Sequence, residues 1–196
     1  MRKGLLFVVS GPSGVGKGTV ISALMQNYDD INYSISATTR KPREGEMNGE
    51  DYLFLSEQEF FEMREKGEFL ESACVHNNYY GTPRSNVLKS LDRGEDIILE
   101  IDIQGARQVK EEFKNCILIF LMPPSLTELE KRLEKRGTET RESREVRLKN
   151  ARRELKATVD YDYEIVNDNL QQTVKKVKNI IKKEKARKIG GECRDN

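Results

Sequence analysis

The stretch that most limits what this chain can fold into is Gly11-Pro12-Ser13-Gly14-Val15-Gly16-Lys17-Gly18-Thr19. It follows an apolar run, Leu5 to Val9, and precedes Val20, Ile21 and Leu24 at helical spacing, so the local expectation is strand, glycine loop, helix. Backbone N–H groups can converge on an anion only where no Cβ intervenes and positive φ is tolerated, which is what the glycines supply. The following helix adds its unpaired N–H groups and the positive end of its dipole, and Lys17 adds a movable full charge. Gly, four residues, Gly-Lys is the phosphate-binding loop pattern in all but its last position. Gly18 stands where that pattern has a hydroxyl, and Thr19 is the nearest substitute. A Mg²⁺ here is expected to be held mainly through water and phosphate oxygens, with Thr19 in its outer shell.

Around this loop, apolar runs and helical stripes alternate. Strands are expected at Ile31 to Ser36, Ile97 to Ile103, Ile117 to Met122 (stopped by Pro123-Pro124) and Tyr163 to Val166. Ser125-Leu126-Thr127-Glu128 reads as a capping box opening a helix with Leu126, Leu129 and Leu133 on one face. Leu170, Val174, Val177 and Ile181 form the stripe of a closing helix. Continuous apolar strands between helices mean an α/β fold with a parallel sheet flanked by helices, and ligands in such sheets sit at the carboxyl ends of the strands. Residues 38–93 break the rhythm with short alternating segments at Asp51 to Leu55 and Phe69 to Val75, and a capped helix opening at Ser56. They are read as an α+β insertion between core segments 1–37 and 94–185, the whole forming one domain. Residues 136–153 are rich in arginine and poor in apolar side chains and are read as a lid. The basic stretch from Lys182 is expected to fray, with 186–196 a flexible tail.

Composition excludes several classes. Lys and Arg number 34 against 33 Asp and Glu, so no global field favours nucleic acid. Three scattered cysteines without a CxxC pair and a single histidine, His76, argue against zinc and against a disulfide framework, and for a reducing compartment. The amino-terminal apolar run is too short for an export signal, and no run approaches the ~20 residues that cross a bilayer. The expectation is a cytoplasmic protein without a membrane or nucleic-acid partner.

Several clusters carry chemistry. Glu100 and Asp102, two apart at the end of the best strand, are expected to point to one side, where Glu100 suits water-bridged Mg²⁺ and both suit substrate contacts. Arg40 and Arg43, with Tyr52 nearby, suit a grip on a terminal phosphate. If the acceptor is itself a phosphate, no general base is needed and the obstacle is repulsion between two polyanions. Lys17, Arg40, Arg43, Arg132, Arg136 and Arg147 answer that need, although Arg132 is also spaced for a surface pair with Glu128. Guanine presents N1–H and N2–H donors beside an O6 acceptor; the carboxylate of Glu71 and the hydroxyls of Thr82 and Ser36 are of the matching types, though their spacing does not place them together.

In order and spacing, Ser10 to Lys17, Ser36 to Arg43 with Gly45-Glu46, Gly49 to Tyr52, Asn78 to Thr82, Glu100 to Gly105, Arg136 to Glu139 and Ile165 to Asp168 resemble the guanylate kinases over nearly the whole chain. The resemblance implies a P-loop NTPase core that moves the γ-phosphoryl of ATP onto GMP, with Mg²⁺ as cofactor and the insertion as the GMP-binding subdomain. It implies an ATP site of Gly11, Pro12, Ser13, Gly14, Val15, Gly16, Lys17, Gly18 and Thr19 with Arg132, Arg136 and Asn167. It implies a GMP site in which Arg40, Arg43, Tyr52 and Tyr80 hold the phosphate, Ser36, Glu71, Thr82 and Asp102 contact the nucleoside, and Glu100 lies near the metal. Lys17, Arg40, Arg136 and Arg147 are the implied catalytic groups. Two other readings stay open at this point: another P-loop nucleoside monophosphate kinase, and a guanylate-kinase-like module that binds without turnover.

Overall fold

A computed structural model describes residues 3–75, 77–135, 150–152, 154–155 and 161–192. Arg136, Arg147, most of the lid reading, His76 and Cys193 lie outside the described residues. Among those described, one sheet has the strand order β2-β7-β1-β8-β9, built from β1 (Leu6–Ser10), β2 (Asn32–Tyr33), β7 (Ile97–Glu100), β8 (Ile117–Met122) and β9 (Tyr163–Val166). The β2–β7 and β8–β9 pairs are parallel. A second sheet has the order β4-β3-β6-β5, from β3 (Ala37–Thr38), β4 (Leu53–Phe54), β5 (Phe69–Val75) and β6 (Asn78–Pro83). Six helices are described: α1 (Lys17–Met25), α2 (Glu57–Glu65), α3 (Arg84–Asp92), α4 (Ile103–Glu112), α5 (Leu126–Lys135) and α6 (Leu170–Glu192).

By packing, the chain divides into two units. The first comprises Met1–Val8 and Asp30–Ile117, the second Val9–Asp29 and Leu118–Asn196. In the first unit, β5 and β6 form an antiparallel pair in which Glu71 stands opposite Thr82 and Ser72 opposite Gly81, after a register shift between Phe69 and Glu71. Phe60 of α2, fully buried, stacks on Phe69 at 4.6 Å between ring centroids and closes the small core beneath this sheet. Helix α2 begins where expected: Ser56 Oγ accepts from Glu59 N, and the Glu59 carboxylate accepts from Ser56 N at 2.8 Å. In the second unit, Leu129 and Leu133 of α5 pack with Ala151, and Val20, Ile21 and Leu24 of α1 are buried.

Several expectations shift. The strand read over Ile97 to Ile103 ends at Glu100, because Asp102 is the N-cap of α4, its Oδ1 accepting from Gly105 N at 2.8 Å. Glu100 and Asp102 therefore do not share a strand face by alternation. Ile31 to Ser36 yields only the two-residue β2, and Asp51 to Leu55 only the two-residue β4. Leu126, at the first position of α5, is 37% exposed and leaves the buried face to Leu129 and Leu133. Helix α6 continues through Glu192, past the point where the polar sequence was read as a tail; Lys and Arg are good helix formers, and a nucleated helix extends at little cost without burying apolar groups.

Replacing Ser56 with Ala removes one capping acceptor and should lower stability by about 1 kcal/mol. In urea titrations the midpoint should fall with an unchanged slope.

Candidate functional site

The phosphate loop lies wholly in the second unit and is held from below by close backbone packing. Gly11 has φ 150° and its missing Cβ leaves room for the carbonyl of Leu121 on β8, which an added Cβ would approach to 2.4 Å. Gly14 and Gly16 have φ of 85° and 98°, in the left-handed region that disfavours any side chain. Pro12 is buried and Ser13 half-buried, so of the loop only Gly18 and Thr19, in the first turn of α1, are exposed. Lys17 folds its Nζ back onto the carbonyl of Gly11 at 2.7 Å. That places its charge over the loop itself, within a side-chain rotation of any anion bound there.

Two residues outside the loop converge on one of its carbonyls. Asn167, 6% exposed at the end of β9, donates from Nδ2 to Val15 O at 2.8 Å, and Arg132 of α5 donates from Nη1 to the same oxygen at 3.2 Å. Arg132 also makes the anticipated pair with Glu128, Nε to Oε1 at 3.3 Å. Asn167 and Arg132 thus both satisfy the carbonyl of Val15.

In the first unit, the structure brings together most of the second set of residues. Glu71 is 4% exposed and accepts a hydrogen bond from Thr82 Oγ1 at 2.8 Å, as cross-strand register demands. Burial, with the charge of Asp102 in support, pushes the Glu71 carboxyl up to about 7, and the Thr82 hydrogen bonds only partly offset this. Ser36 is buried immediately before β3, whose Ala37 pairs with Gly81, next to Thr82. Two residues along β6 on the same face as Thr82 stands Tyr80, whose ring meets Tyr52 edge-on at 6.2 Å. Arg40 lies over the Tyr52 ring at 5.2 Å. Burial and then the charge of Glu100 push the Tyr52 hydroxyl up to about 12.

Sequence reasoning quoted Glu46 without giving it a role. Its carboxylate takes a two-pronged hydrogen bond from Arg40, Nη1 to Oε2 at 2.8 Å and Nη2 to Oε1 at 2.9 Å, and another from Arg43 N at 2.7 Å. Those contacts hold its carboxyl below the usual range, the Arg40 hydrogen bond being the largest cause. One acid thus orders the loop that carries both arginines, while the Arg43 residue itself stays exposed. The signal for this was an acid three residues past Arg43 and six past Arg40, a spacing with no helical or strand logic to flag it.

Chemically, the second unit offers a glycine loop at a helix N-terminus and a lysine, groups suited to a polyphosphate. The first offers a fixed arginine with tyrosine hydroxyls, a site for one phosphate, and a buried carboxylate–hydroxyl pair, a site for adjacent N–H donors. No helix among the described residues is long and apolar enough to cross a membrane.

Comparison with known proteins identifies the family. The family described as Guanylate kinase matches residues 3–184. A guanylate kinase of Clostridium tetani is 52% identical over 187 residues, 95% of this chain and 89% of that protein. One of Caldanaerobacter subterraneus is 50% identical over 186 residues, 95% of this chain and 90% of its own. The crystal structure of guanylate kinase from Anaplasma phagocytophilum superposes with a TM-score of 0.79 at 36% identity, covering 93% of this chain and 87% of that one. The chain belongs to the guanylate kinase family.

Proposed function

We propose that the chain moves the γ-phosphoryl group of ATP onto GMP, giving ADP and GDP, and that the loop of the second unit holds the donor while the cluster around Glu71 and Arg40 holds the acceptor. The observation that carries the acceptor assignment is the buried Glu71–Thr82 pair. Guanine's N1–H and N2–H lie side by side and need an acceptor with two oxygens; adenine offers N6–H beside an acceptor at N1 and would leave one oxygen of the ionised carboxylate facing a lone pair in a dry site. Such a mismatch costs far more than a lost contact, because the buried group also forfeits its water.

The phosphate of GMP is already anionic, so no side chain has to remove a proton from the nucleophile. What the reaction needs is the neutralisation of charge and an in-line approach. In this proposal Arg40, oriented by Glu46, and Arg43, with the hydroxyls of Tyr52 and Tyr80, hold the acceptor phosphate. Ser36 and Asp102 contact the nucleoside, and Glu100 stands near the metal and phosphate region. Gly11 to Thr19 hold the ATP phosphates, with Lys17 following the charge that develops on the group in transfer. Arg132 and Asn167 support the loop through Val15, Asn167 also bordering the adenine. Arg136 and Arg147 are proposed as cationic lid residues.

Magnesium belongs to the proposal as the partner of ATP. Thr19 offers an exposed hydroxyl beside the loop, and among the described residues no group of three or more His, Cys, Asp or Glu side chains gathers as metal ligands. Those donors fit an ion that keeps its waters and binds chiefly to phosphate oxygens, with Thr19 at one remove. Bound there, it would supply further neutralisation of phosphate charge.

Lys17→Ala should lower kcat by about a thousandfold while changing the Michaelis constant for GMP little, since the lost charge acts on the transition state; near-normal turnover would remove Lys17 from the mechanism. A pH series tests Glu71. Guanine's donors bind the ionised carboxylate, and with its midpoint near 7 the ionised fraction falls about tenfold between pH 8 and pH 6. The Michaelis constant for GMP should therefore rise over that range in wild type by a factor missing from Glu71→Gln, the titration of GMP's own phosphate being common to both. The activity itself is tested by ADP release with ATP and, in turn, GMP, AMP, dTMP or no acceptor. Turnover confined to GMP is expected, and equal turnover with AMP or none with any acceptor would overturn the proposal.

A further inference from the structure

Helix α4 carries a glycine in its first turn that its backbone does not require. Gly105 is not among the residues of positive φ, and a glycine inside a helix destabilises it by roughly 1 kcal/mol relative to alanine. What the residue permits is a contact: an added Cβ would stand 2.2 Å from Glu71 Oε2 and 2.8 Å from its Cδ. The Glu71 carboxylate is seated in the place where that side chain would be. Its other oxygen, Oε1, is the one held by Thr82.

One turn further on, Gln108 makes a second link to the same strand. Its Oε1 accepts from Ser72 N at 3.1 Å and its Nε2 donates to Ser72 O at 2.9 Å. Strand β5 is the edge of its sheet, so Gln108 completes the hydrogen bonding of an outward-facing peptide with a side chain in place of another strand. Ser72 directly follows Glu71. Asp102 ties down the start of the helix by accepting from Gly105 N at 2.8 Å. Helix α4 is thus fixed in rotation and in register against the residue that bears the carboxylate.

We propose that Gly105 and Gln108 are positioning residues for base specificity, setting the depth and tilt of the Glu71 carboxylate through the space at Gly105 and the two-bond bracket from Gln108 to Ser72. The proposal rests on the reading that Glu71 receives the guanine edge. Both N–H donors of guanine are satisfied only if the two oxygens lie in the plane of the base. A Cβ at position 105 would force the carboxylate back by about 1 Å, a displacement large enough to lose most of a paired, buried interaction.

The test measures dissociation constants for GMP, IMP and ATP by calorimetry on the full chain as wild type, Gly105→Ala, Gln108→Met and Glu71→Gln. IMP keeps N1–H and O6 and lacks the exocyclic amino group. The preference for GMP over IMP should fall about tenfold in Gly105→Ala and by a smaller factor in Gln108→Met, with ATP binding within twofold of wild type. Gln108→Met adds no bulk near Glu71, so it carries the test if the alanine variant does not fold. If Glu71→Gln loses the preference while the folded α4 variants retain it, the positioning role is overturned and the base reading stands, whatever the variants do to melting temperature. A preference retained in Glu71→Gln removes the base reading and the proposal with it.

Discussion

A carboxylate taken out of water is the constraint on which the proposed acceptor site depends. Glu71 is 4% exposed, and an ionised acid in such surroundings is stable only with hydrogen bonds aimed at it. Thr82 supplies one from the paired strand, while the charge of Asp102 adds to the upward push of burial. The result is a group near its own midpoint at neutral pH, one that a ligand with two adjacent N–H donors can hold in the charged form. The cross-strand register of β5 and β6, the glycine of α4 and the bracket from Gln108 all bear on where its two oxygens lie. In the proposed acceptor site, base specificity is therefore a matter of electrostatic cost. There a base without two adjacent N–H donors leaves an ionised oxygen facing no donor.

The proposed phosphate grip nearby solves a different problem with the same means. Arg40 is a flexible side chain, and a flexible cation pays entropy each time it binds. Glu46, lodged between Arg40 and the backbone of Arg43, fixes the guanidinium beforehand and leaves it lying over Tyr52. In the second unit the donor loop shows the equivalent preparation. Its glycines hold positive φ, and the carbonyl of Val15 is satisfied by Asn167 and Arg132.

How much of this the sequence disclosed follows from the range over which each signal acts. The phosphate loop, the fully apolar β8 and the capping box at Ser56 are local signals and appear where expected. The strand after Ile97 was read two residues too far because Glu100-Ile101-Asp102 alternates like a strand, whereas Asp102 is committed to capping α4. The two-residue strands β2 and β4 are set by their partners and leave no periodicity of their own. Glu71 and Thr82 were recognised as the right types for a purine edge, but only the β5–β6 register brings them within 2.8 Å. Glu46, Gly105 and Gln108 went unassigned because each acts across a loop or between a helix and a strand. Nothing in their spacing along the chain records that geometry. The stretch of α6 beyond Lys182 was read as frayed because it lacks an apolar stripe, yet helix propensity carries it on.

The central claim is that Glu71 stands partly protonated at neutral pH and is ionised when guanine binds. Carbon-13 NMR of the glutamate carboxyl carbons, with the Glu71 signal assigned by its loss in Glu71→Gln, measures this directly. The account predicts a titration midpoint near 7 in the free protein, in keeping with the value of about 7 set by burial, and a lower midpoint when GMP is bound. A Glu71 carboxyl that titrates in the ordinary carboxylate range without ligand, or one whose midpoint does not move with GMP, would contradict it.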